Sequence, residues 1–560
     1  MRRDVRLSES FWAADASQQV WELSLGGLLR QLAREVPERT ALVEGTPEPA
    51  ARRRWTYRQL LDSAETVARA LLRRFEPGER VAVWSANSAE WVLLQHGAAM
   101  AGLVLVTINP AYLASELRHV LATSRAAGIF HSGRYRGNDM SAMLAGLRAE
   151  LPELREVFCF SEWPAFVASS DPAIELPVVD PASMIQIQFT SGTTGKPKGA
   201  CLHHRGVVNA SRFGAMRVGF PEGGVWVSAM PLFHVGGCAG SELGAFSQRG
   251  TFVMQPAFDA AVMLALIESE RGNHVHAVPT MLVALLDHPE RPKRDLRSLG
   301  TFMSGGSTVP ANLVRHVCET FSAKLTITFG QTELNGVICQ TFPDDPPQQQ
   351  ASTIGQPAPC MEVKIADPAT GRVLPLDTPG EIWARGYQTM LGYFDMPEGA
   401  DGALTPDGWL KTGDQATMDA EGYLRITGRL KDAIIRGGEN IYPREIEEVL
   451  CAHPAISQAS VIGLPDEKWG EVVAAVLRLQ PDASPVPATE ELHAWCRARL
   501  AAYKTPVRWF YVDAFPLTAS GKIQKFALRD MIGDARLVPE PFVKPETGHT
   551  PRPRADQPAI

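Results

Sequence analysis

Between Trp55 and Phe130, stretches with apolar residues at helical spacing, such as Leu60 to Leu72, alternate with short apolar runs. The runs are Val81-Ala82-Val83-Trp84, Leu103-Val104-Leu105-Val106 and Gly128-Ile129-Phe130. Helices that bury one stripe, alternating with buried strands, predict the βαβ rhythm of a parallel sheet. The rhythm returns around Val225 to Val227, Thr251 to Met254 and Leu325 to Phe329. After about Asp344 the punctuation changes: Pro346-Pro347, Asp367-Pro368, Thr378-Pro379-Gly380 and Asp407-Gly408 separate short strands such as Glu362-Val363-Lys364-Ile365 and Glu381-Ile382-Trp383. That pattern predicts a small β-rich subdomain. Beyond Lys431 a compact α+β pattern begins, with a helix starting near Pro443 whose first turn is expected to hold Glu445, Glu447 and Glu448, as the helix dipole prefers. The expected boundaries are an N-terminal domain over 1–430, a C-terminal domain over 431–537, and a disordered tail over 538–560 with six prolines among mostly polar neighbours.

A chain of 560 residues exceeds the size at which one core stops growing, and 45% hydrophobic residues suffice to pack more than one. The net charge of −7 comes without any basic run interleaved with aromatics, so nucleic acid is not an expected partner. Eight scattered cysteines form no CxxC pair, and no histidine pair has metal spacing, which points away from disulfides and zinc and towards a reducing, cytoplasmic setting. Met1-Arg2-Arg3-Asp4-Val5-Arg6 leads into polar sequence rather than an apolar signal core. The most apolar window, Trp91 to Ile108, is broken by Gln95-His96 and Gly102 and reads as a helix followed by a strand, so no stable membrane insertion is expected.

Chemistry enters behind the alternating strand Ile185-Gln186-Ile187-Gln188-Phe189, where Thr190-Ser191-Gly192-Thr193-Thr194-Gly195-Lys196-Pro197-Lys198-Gly199 crowds hydroxyls, glycines and two lysines. Glycines let backbone N–H groups converge on an anion, hydroxyls add donors, and Lys196 or Lys198 adds charge, so the stretch is suited to phosphate. It is not a nucleoside-triphosphatase loop of the Walker kind, which needs four residues between its glycines where this chain has only Thr193-Thr194. Taken alone, such a loop is also an ordinary flexible turn. Further signals follow: Phe329-Gly330-Gln331-Thr332-Glu333, Lys411-Thr412-Gly413-Asp414, Gly428-Arg429-Leu430-Lys431-Asp432, Gly437-Gly438-Glu439-Asn440 and Ser520-Gly521-Lys522-Ile523.

In kind and order these segments resemble the signatures of the AMP-forming acyl-adenylate superfamily, which includes acyl-CoA synthetases, firefly luciferases and peptide-synthetase adenylation domains. The resemblance spans roughly 20–535 and is nearest to the medium- and long-chain fatty acyl-CoA synthetases. It implies an α/β fold: a large N-terminal domain with doubly wound sheets plus a small β-rich subdomain, and a small mobile α+β C-terminal domain. It implies ATP, Mg2+ and CoA as cofactor and co-substrates, with a small-molecule carboxylic acid as substrate and a monomer or homodimer as the working unit.

The same resemblance assigns roles residue by residue. Thr190, Ser191, Gly192, Thr193, Thr194, Gly195, Lys196 and Lys198 match the phosphate loop, with Thr194 among the catalytic group. Gly305, Gly306 and Ser307 match the segment between adenine and acyl group. Phe329, Gly330, Gln331 and Thr332 match the nucleotide edge, and Glu333 the metal-contacting carboxylate. Asp414 and Arg429 match the ribose partners. Lys522 matches the lysine that bridges carboxylate and α-phosphate, and Lys431 falls on the hinge. Gly437 and Gly438 match the passage for the pantetheine arm of CoA. In Pro231-Leu232-Phe233-His234-Val235-Gly236-Gly237, the residues His234, Val235, Gly236 and Gly237 match the acyl pocket, with His234 at the carboxylate end. Small residues leave room there for a sizeable apolar group, and no Asp is present to hold an amino-acid ammonium.

A carboxylate is a poor electrophile, and adenylation turns one of its oxygens into part of a leaving group by attack on the α-phosphate of ATP, a step that gathers negative charge. The resulting expectation is an AMP-forming acyl-CoA synthetase for a hydrophobic acid. Its rivals are an adenylating ligase that hands the acyl group to a carrier-protein thiol or an amine, and a nucleotide-binding protein without turnover.

Overall fold

A computed structural model describes residues 2–190, 197–307, 309–397, 402–480, 483, 485–517 and 523–541. The chain divides into two compact units, one of Met1–Ile426 and the other of Thr427–Thr518 with Ile523 onward.

The first unit holds two large sheets. A six-stranded sheet runs in the order Lys198–His203, Met184–Thr190, Val104–Ile108, Arg80–Trp84, Gly128–His131 and Glu156–Cys159. Only its first pair is antiparallel. The apolar window around residue 100 resolves into the helix Ala89–Met100 and the strand Val104–Ile108. Ser88 starts that helix by accepting the Trp91 N–H, which satisfies a donor left open at a helix start. A nine-stranded sheet runs in the order Gln356–Pro357, Gly336–Gln340, Lys324–Gln331, Thr301–Gly305, His274–His276, Val225–Ser228, Thr251–Met254, Thr40–Glu44 and Arg54–Thr56. From Val225–Ser228 the chain first lays Thr251–Met254 on one side and then returns to lay His274–His276 on the other, both parallel. The carboxyl ends of Val225–Ser228 and His274–His276 therefore flank a topological switch point, the place where open α/β sheets leave a crevice for ligands.

The β-rich part of the first unit pairs Met361–Ala366, Gly380–Gly386 and Leu410–Met418 antiparallel, as the proline and glycine punctuation predicts. The short N-terminal strand Phe11–Trp12 joins its edge, which no pattern in the sequence announces. Trp12 is buried there, and a side chain at Gly422 would strike its ring at 2.2 Å. The same N-terminal segment then runs along the helix His204–Arg217. Trp21 and Asn209 exchange two hydrogen bonds, Trp21 N–H to Oδ1 at 2.8 Å and Nδ2–H to the Trp21 carbonyl at 2.9 Å, and the Arg212 guanidinium stacks 4.2 Å from the Trp21 ring.

In the second unit, Glu439–Ile441, Ile434–Arg436, Gly470–Leu479 and Ile456–Asp466 form an antiparallel sheet, with Arg508–Tyr511 parallel to Gly470–Leu479. The helix Pro443–Cys451 begins on its proline as expected, but only Glu445 of the three glutamates lies in the first turn. Glu447 instead accepts from the Val461 N–H and the Lys525 ammonium, both at 2.8 Å, and Glu448 pairs with Arg444 at 2.9 Å. Glu540 N–H donates to the Trp509 carbonyl, and the Thr489 hydroxyl donates to the Pro541 carbonyl, so the chain is held as far as Pro541. Residues 542–560, the rest of the expected tail, lie outside the described residues.

Candidate active site

The strands Met184–Thr190 and Lys198–His203 form a hairpin that sets Thr190 opposite Lys198. A side chain at Gly199 would lie 2.7 Å from Ile187, so the glycine is required for this close pairing. Ser191, Gly192, Thr193, Thr194, Gly195 and Lys196 lie outside the described residues. The free edge of Lys198–His203 is covered by the segment Leu391 to Phe394. Leu391 N–H donates to the Cys201 carbonyl and Cys201 N–H to the Gly392 carbonyl, each at 2.9 Å, and Phe394 N–H donates to the Gly199 carbonyl at 2.8 Å.

This pairing fixes Tyr393 between two expected site residues. Its ring centroid is 5.0 Å from the Lys198 ammonium, and its hydroxyl donates to Glu333 Oε1 at 2.8 Å. Glu333 is held from its backbone as well, its carbonyl accepting the Met390 N–H at 2.9 Å. One residue earlier, the Thr389 carbonyl accepts from His203 Nε2, while His203 Nδ1 caps the helix His204–Arg217 by accepting the Gly206 N–H. That assignment leaves His203 neutral, and burial holds its pKa below the usual histidine value. Tyr393 had no signal in the sequence beyond being an aromatic in a glycine-containing stretch. Replacing it with phenylalanine removes a hydrogen bond to a carboxylate, worth about 1.5–3 kcal/mol. Tyr393→Phe is expected to lower kcat/KM for ATP by about tenfold or more and to leave the KM for the acid nearly unchanged, measured by pyrophosphate release.

The strand Lys324–Gln331 carries the next group. A bulge between Phe329 and Gly330 redirects the strand end, and a side chain at Gly330 would lie 2.0 Å from the Gly336 carbonyl. Past the bulge, Gln331 Nε2 donates to Asp414 Oδ2 at 2.7 Å and to the Thr412 carbonyl at 2.9 Å. Two motifs separated by 83 residues are thus joined side chain to side chain. Asp414 is buried, its N–H donates to Thr412 Oγ1, and the neighbouring Gly413, at φ +72°, gives its N–H to Glu381. Thr332 is buried and opens the turn Thr332–Leu334 that carries Glu333. Gly305 lies beside Thr328 in the adjacent parallel strand, with its absent side chain 2.2 Å from the Thr328 carbonyl. Gly306 and Ser307 follow it exposed. Phe329, Gln331, the Glu333 turn and the Gly305-Gly306-Ser307 corner therefore lie at the carboxyl end of the nine-stranded sheet, and Gln331 ties Asp414 of the β-rich sheet to them.

The acyl segment turns at His234, whose N–H donates to the Pro231 carbonyl at 3.1 Å and whose Nδ1 accepts the Gly236 N–H at 3.0 Å. With Nδ1 accepting, the neutral ring carries its proton on Nε2. Gly236–Leu243 then winds as a π-helix, a wide turn in which the Gly244 N–H reaches back five residues to the Ala239 carbonyl. A side chain at Gly237 would meet the Pro231 carbonyl at 2.2 Å. The outer wall of this helix is fixed by a buried polar chain. Gln188 Nε2 donates to Gln186 Oε1 at 2.8 Å, Gln186 Nε2 to Gln95 Oε1 at 2.6 Å, and Gln95 Nε2 to Glu242 Oε2 at 3.1 Å, while His96 Nε2 meets Glu242 Oε1 at 2.7 Å. Burial pushes the Glu242 pKa up, and the hydrogen bond from His96 opposes that shift.

In the second unit Arg429 and Lys431 are exposed, the latter in the turn Leu430–Asp432. Gly437 and Gly438 stand at φ +59° and +90°, both exposed. Gly437 is pinned through its N–H to the Trp469 carbonyl at 2.8 Å, whereas a Cβ on Gly438 would meet nothing within 4 Å. Lys522 lies outside the described residues. Among the described residues there is no group of three or more His, Cys, Asp or Glu side chains placed to hold a metal ion, and no helix is long and apolar enough to cross a membrane.

Comparison with known proteins gives a consistent result. The profile of the AMP-binding enzyme family matches residues 29–394, and that of the AMP-binding enzyme C-terminal domain matches 445–522. The chain is 34% identical over 546 residues to medium-chain acyl-CoA ligase ACSF2, mitochondrial, of Macaca fascicularis, covering 91% of this chain and 87% of that protein. It is 37% identical over 511 residues to acyl-CoA ligase sidI of Aspergillus fumigatus, covering 85% and 86%. Among solved structures, ATP-bound MatB from Rhodopseudomonas palustris superposes with a TM-score of 0.82 at 26% identity, covering 92% of this chain and all of that one.

Proposed function

This chain belongs to the AMP-binding enzyme family and is an AMP-forming acyl-CoA synthetase, and from that premise we propose how its residues divide the work on a carboxylic acid with a substantial apolar part. The observation that carries the reading is the convergence of Lys198, Tyr393 and Glu333 beside the phosphate hairpin, with Gln331, two residues before Glu333, joined to Asp414. Acid and ATP give acyl-AMP and pyrophosphate, and the CoA thiol then displaces AMP to give the thioester. Thr190 and Lys198 are the described ends of the loop that takes the β- and γ-phosphates. Gln331 holds Asp414 with its carboxylate towards the ribose, and Phe329 supplies an aromatic face for adenine. His234, proton on Nε2, donates at the carboxylate end of the acyl pocket, and Lys522 bridges carboxylate and α-phosphate.

A lone carboxylate suits Mg2+, which takes one or two carboxylates and fills its remaining positions with phosphate oxygens and water. Glu333, oriented by Tyr393, is that carboxylate, and the ion arriving with ATP would neutralise phosphate charge. The hinge role of Lys431 and the division of the chain at 430/431, beside the boundary after Ile426 between the compact units, are parts of the same proposal supported by the motif order, and the cytoplasm as compartment is supported by the scattered cysteines.

The choice of CoA as acceptor is tested at Gly438. A Cβ at Gly438 meets nothing within 4 Å, although φ +90° makes any substitution strained. Gly438→Leu is expected to slow transfer of acyl-AMP to CoA by about tenfold or more, with adenylation and the KM for ATP close to wild type. Pyrophosphate release and single-turnover thioester formation, measured separately, check this. Normal transfer beside lost adenylation would remove Gly438 from the passage.

A further inference from the structure

The strand Gly380–Gly386 carries a buried carboxylate, Glu381, that the adenylation reading does not use. Its ladder with Leu410–Met418 slips at this point. Glu381 pairs with Gln415 and Trp383 with Lys411, so the single residue Ile382 stands opposite the three residues Thr412, Gly413 and Asp414. The surplus bends the second strand into a bulge, and a bulge re-aims the side chains it carries. It also takes backbone groups out of the ladder, and those groups need other partners.

Side chains of the two strands supply them. The Gly413 N–H donates to Glu381 Oε1 at 2.9 Å, the Thr412 hydroxyl donates to the Ile382 carbonyl at 2.8 Å, and the Asp414 N–H donates to Thr412 Oγ1 at 3.1 Å. The other oxygen of Glu381 accepts from Trp383 Nε1 at 2.7 Å, and the Lys364 and Lys411 ammonium groups lie 4.6 and 5.0 Å from the Trp383 ring centroid. A buried carboxylate is costly unless its oxygens are satisfied, and here each takes one N–H. Two donors converging on one side chain require an acceptor at both positions. Glutamate provides this, whereas glutamine would set an NH2 donor against one of them. From the nine-stranded sheet, Gln331 grips the same bulge at the Thr412 carbonyl and at Asp414 Oδ2. Asp414 is thus aimed from two sheets at once.

We propose that Glu381 and Thr412 are positioning residues for nucleotide recognition, holding the 412–414 bulge in the conformation that presents the Asp414 carboxylate to the ribose hydroxyls of ATP. The proposal rests on the reading that Asp414 meets the ribose.

The test measures the affinities of ATP, 2′-deoxyATP and 3′-deoxyATP for the full chain with Mg2+ by calorimetry, without acid, so that no turnover occurs. The wild type is expected to bind ATP about tenfold or more tighter than at least one of the deoxynucleotides, since a site built to pair a hydroxyl rejects the analogue that lacks it. Asp414→Asn, Glu381→Gln and Thr412→Val are each expected to reduce that preference about fivefold or more, and Glu381→Gln is expected to add nothing once Asp414→Asn is in place. Glu362→Gln, which weakens the 2.6 Å ion pair with Arg385 elsewhere in the same sheet, is expected to leave the preference unchanged. Thermal melts identify the folded variants, and Thr412→Val, at a half-buried position, keeps the test open should Glu381→Gln misfold. An unmoved preference in a folded Glu381 or Thr412 variant beside a reduced one in Asp414→Asn, an equal reduction in Glu362→Gln, or a further loss in the double variant overturns the positioning role alone. A wild type indifferent to both ribose hydroxyls, or an Asp414→Asn variant with undiminished preference, overturns the reading of Asp414, and the positioning role with it.

Discussion

Replacing Lys522 with alanine is expected to slow pyrophosphate release from acid and ATP by about 10²–10³-fold or more, while acyl-CoA formation from supplied acyl-AMP stays near the wild-type rate. Two anions meet in adenylation, and a cation placed at the oxygens that gain charge lowers that barrier. In thioester formation the carboxylate–phosphate bond is already made and the CoA thiol attacks the acyl carbon, so no carboxylate has to be brought onto the α-phosphate. The two half-reactions must therefore be measured separately, since the overall rate falls in either case. Equal losses in both would show that Lys522 supports the fold or the nucleotide in general and does not bridge carboxylate and phosphate.

Glu333→Gln is expected to lower adenylation by about 10²–10³-fold and to raise the Mg2+ concentration needed for half-maximal rate. The amide keeps an oxygen for the Tyr393 hydroxyl, so the local hydrogen bond survives in form while the negative charge is lost. Charge, not geometry, is then the variable. A titration of rate against Mg2+ at fixed ATP distinguishes the outcomes: the same fall in rate with an unaltered Mg2+ midpoint would place Glu333 on the nucleotide and not on the ion. Set beside Tyr393→Phe, which removes the orienting bond and keeps the charge, the pair separates the two contributions of one carboxylate.

Much of the fold was legible because buried parallel strands are written as apolar runs. Arg80–Trp84, Val104–Ile108, Gly128–His131, Val225–Ser228 and Thr251–Met254 all fall where those runs are. The alternation Ile185-Gln186-Ile187-Gln188-Phe189 marked a strand correctly but concealed its setting. An alternating strand ordinarily turns its polar face to water, whereas Gln186 and Gln188 are both buried, Gln188 donating to Gln186 and Cys238, and Gln186 to Gln95, which in turn donates to Glu242. The sequence states that these side chains are polar; it does not state that their partners lie on a helix and a turn far along the chain. The site divides in the same way. Motifs with glycines at positions that exclude a side chain, such as Gly305 and Gly330, were readable from local chemistry. Tyr393 and Glu381 were not, because each acquires its partner through strand pairing: Tyr393 by lying along Lys198–His203, Glu381 by facing the bulge in Leu410–Met418. The roles of Ser191, Gly192, Thr193, Thr194, Gly195, Lys196 and Lys522 rest on resemblance alone, as these residues lie outside the described ones.

The π-helix at Gly236–Leu243 bears on how the acyl pocket changes in evolution and in the laboratory. A π turn holds one more residue than the α turn it replaces, so its natural counterpart is a chain one residue shorter and not one with a different side chain. Loss of a single residue between Gly236 and Gly240 would let the segment rewind as α-helix and rotate every later side chain by about 100° about the axis. Ser241 and Glu242 would leave His276 and His96 together in one event. Point substitutions at the glycines only trim the volume of this wall. Insertions and deletions reset its register, so libraries that vary length here reach substrate preferences that libraries varying only residue identity do not.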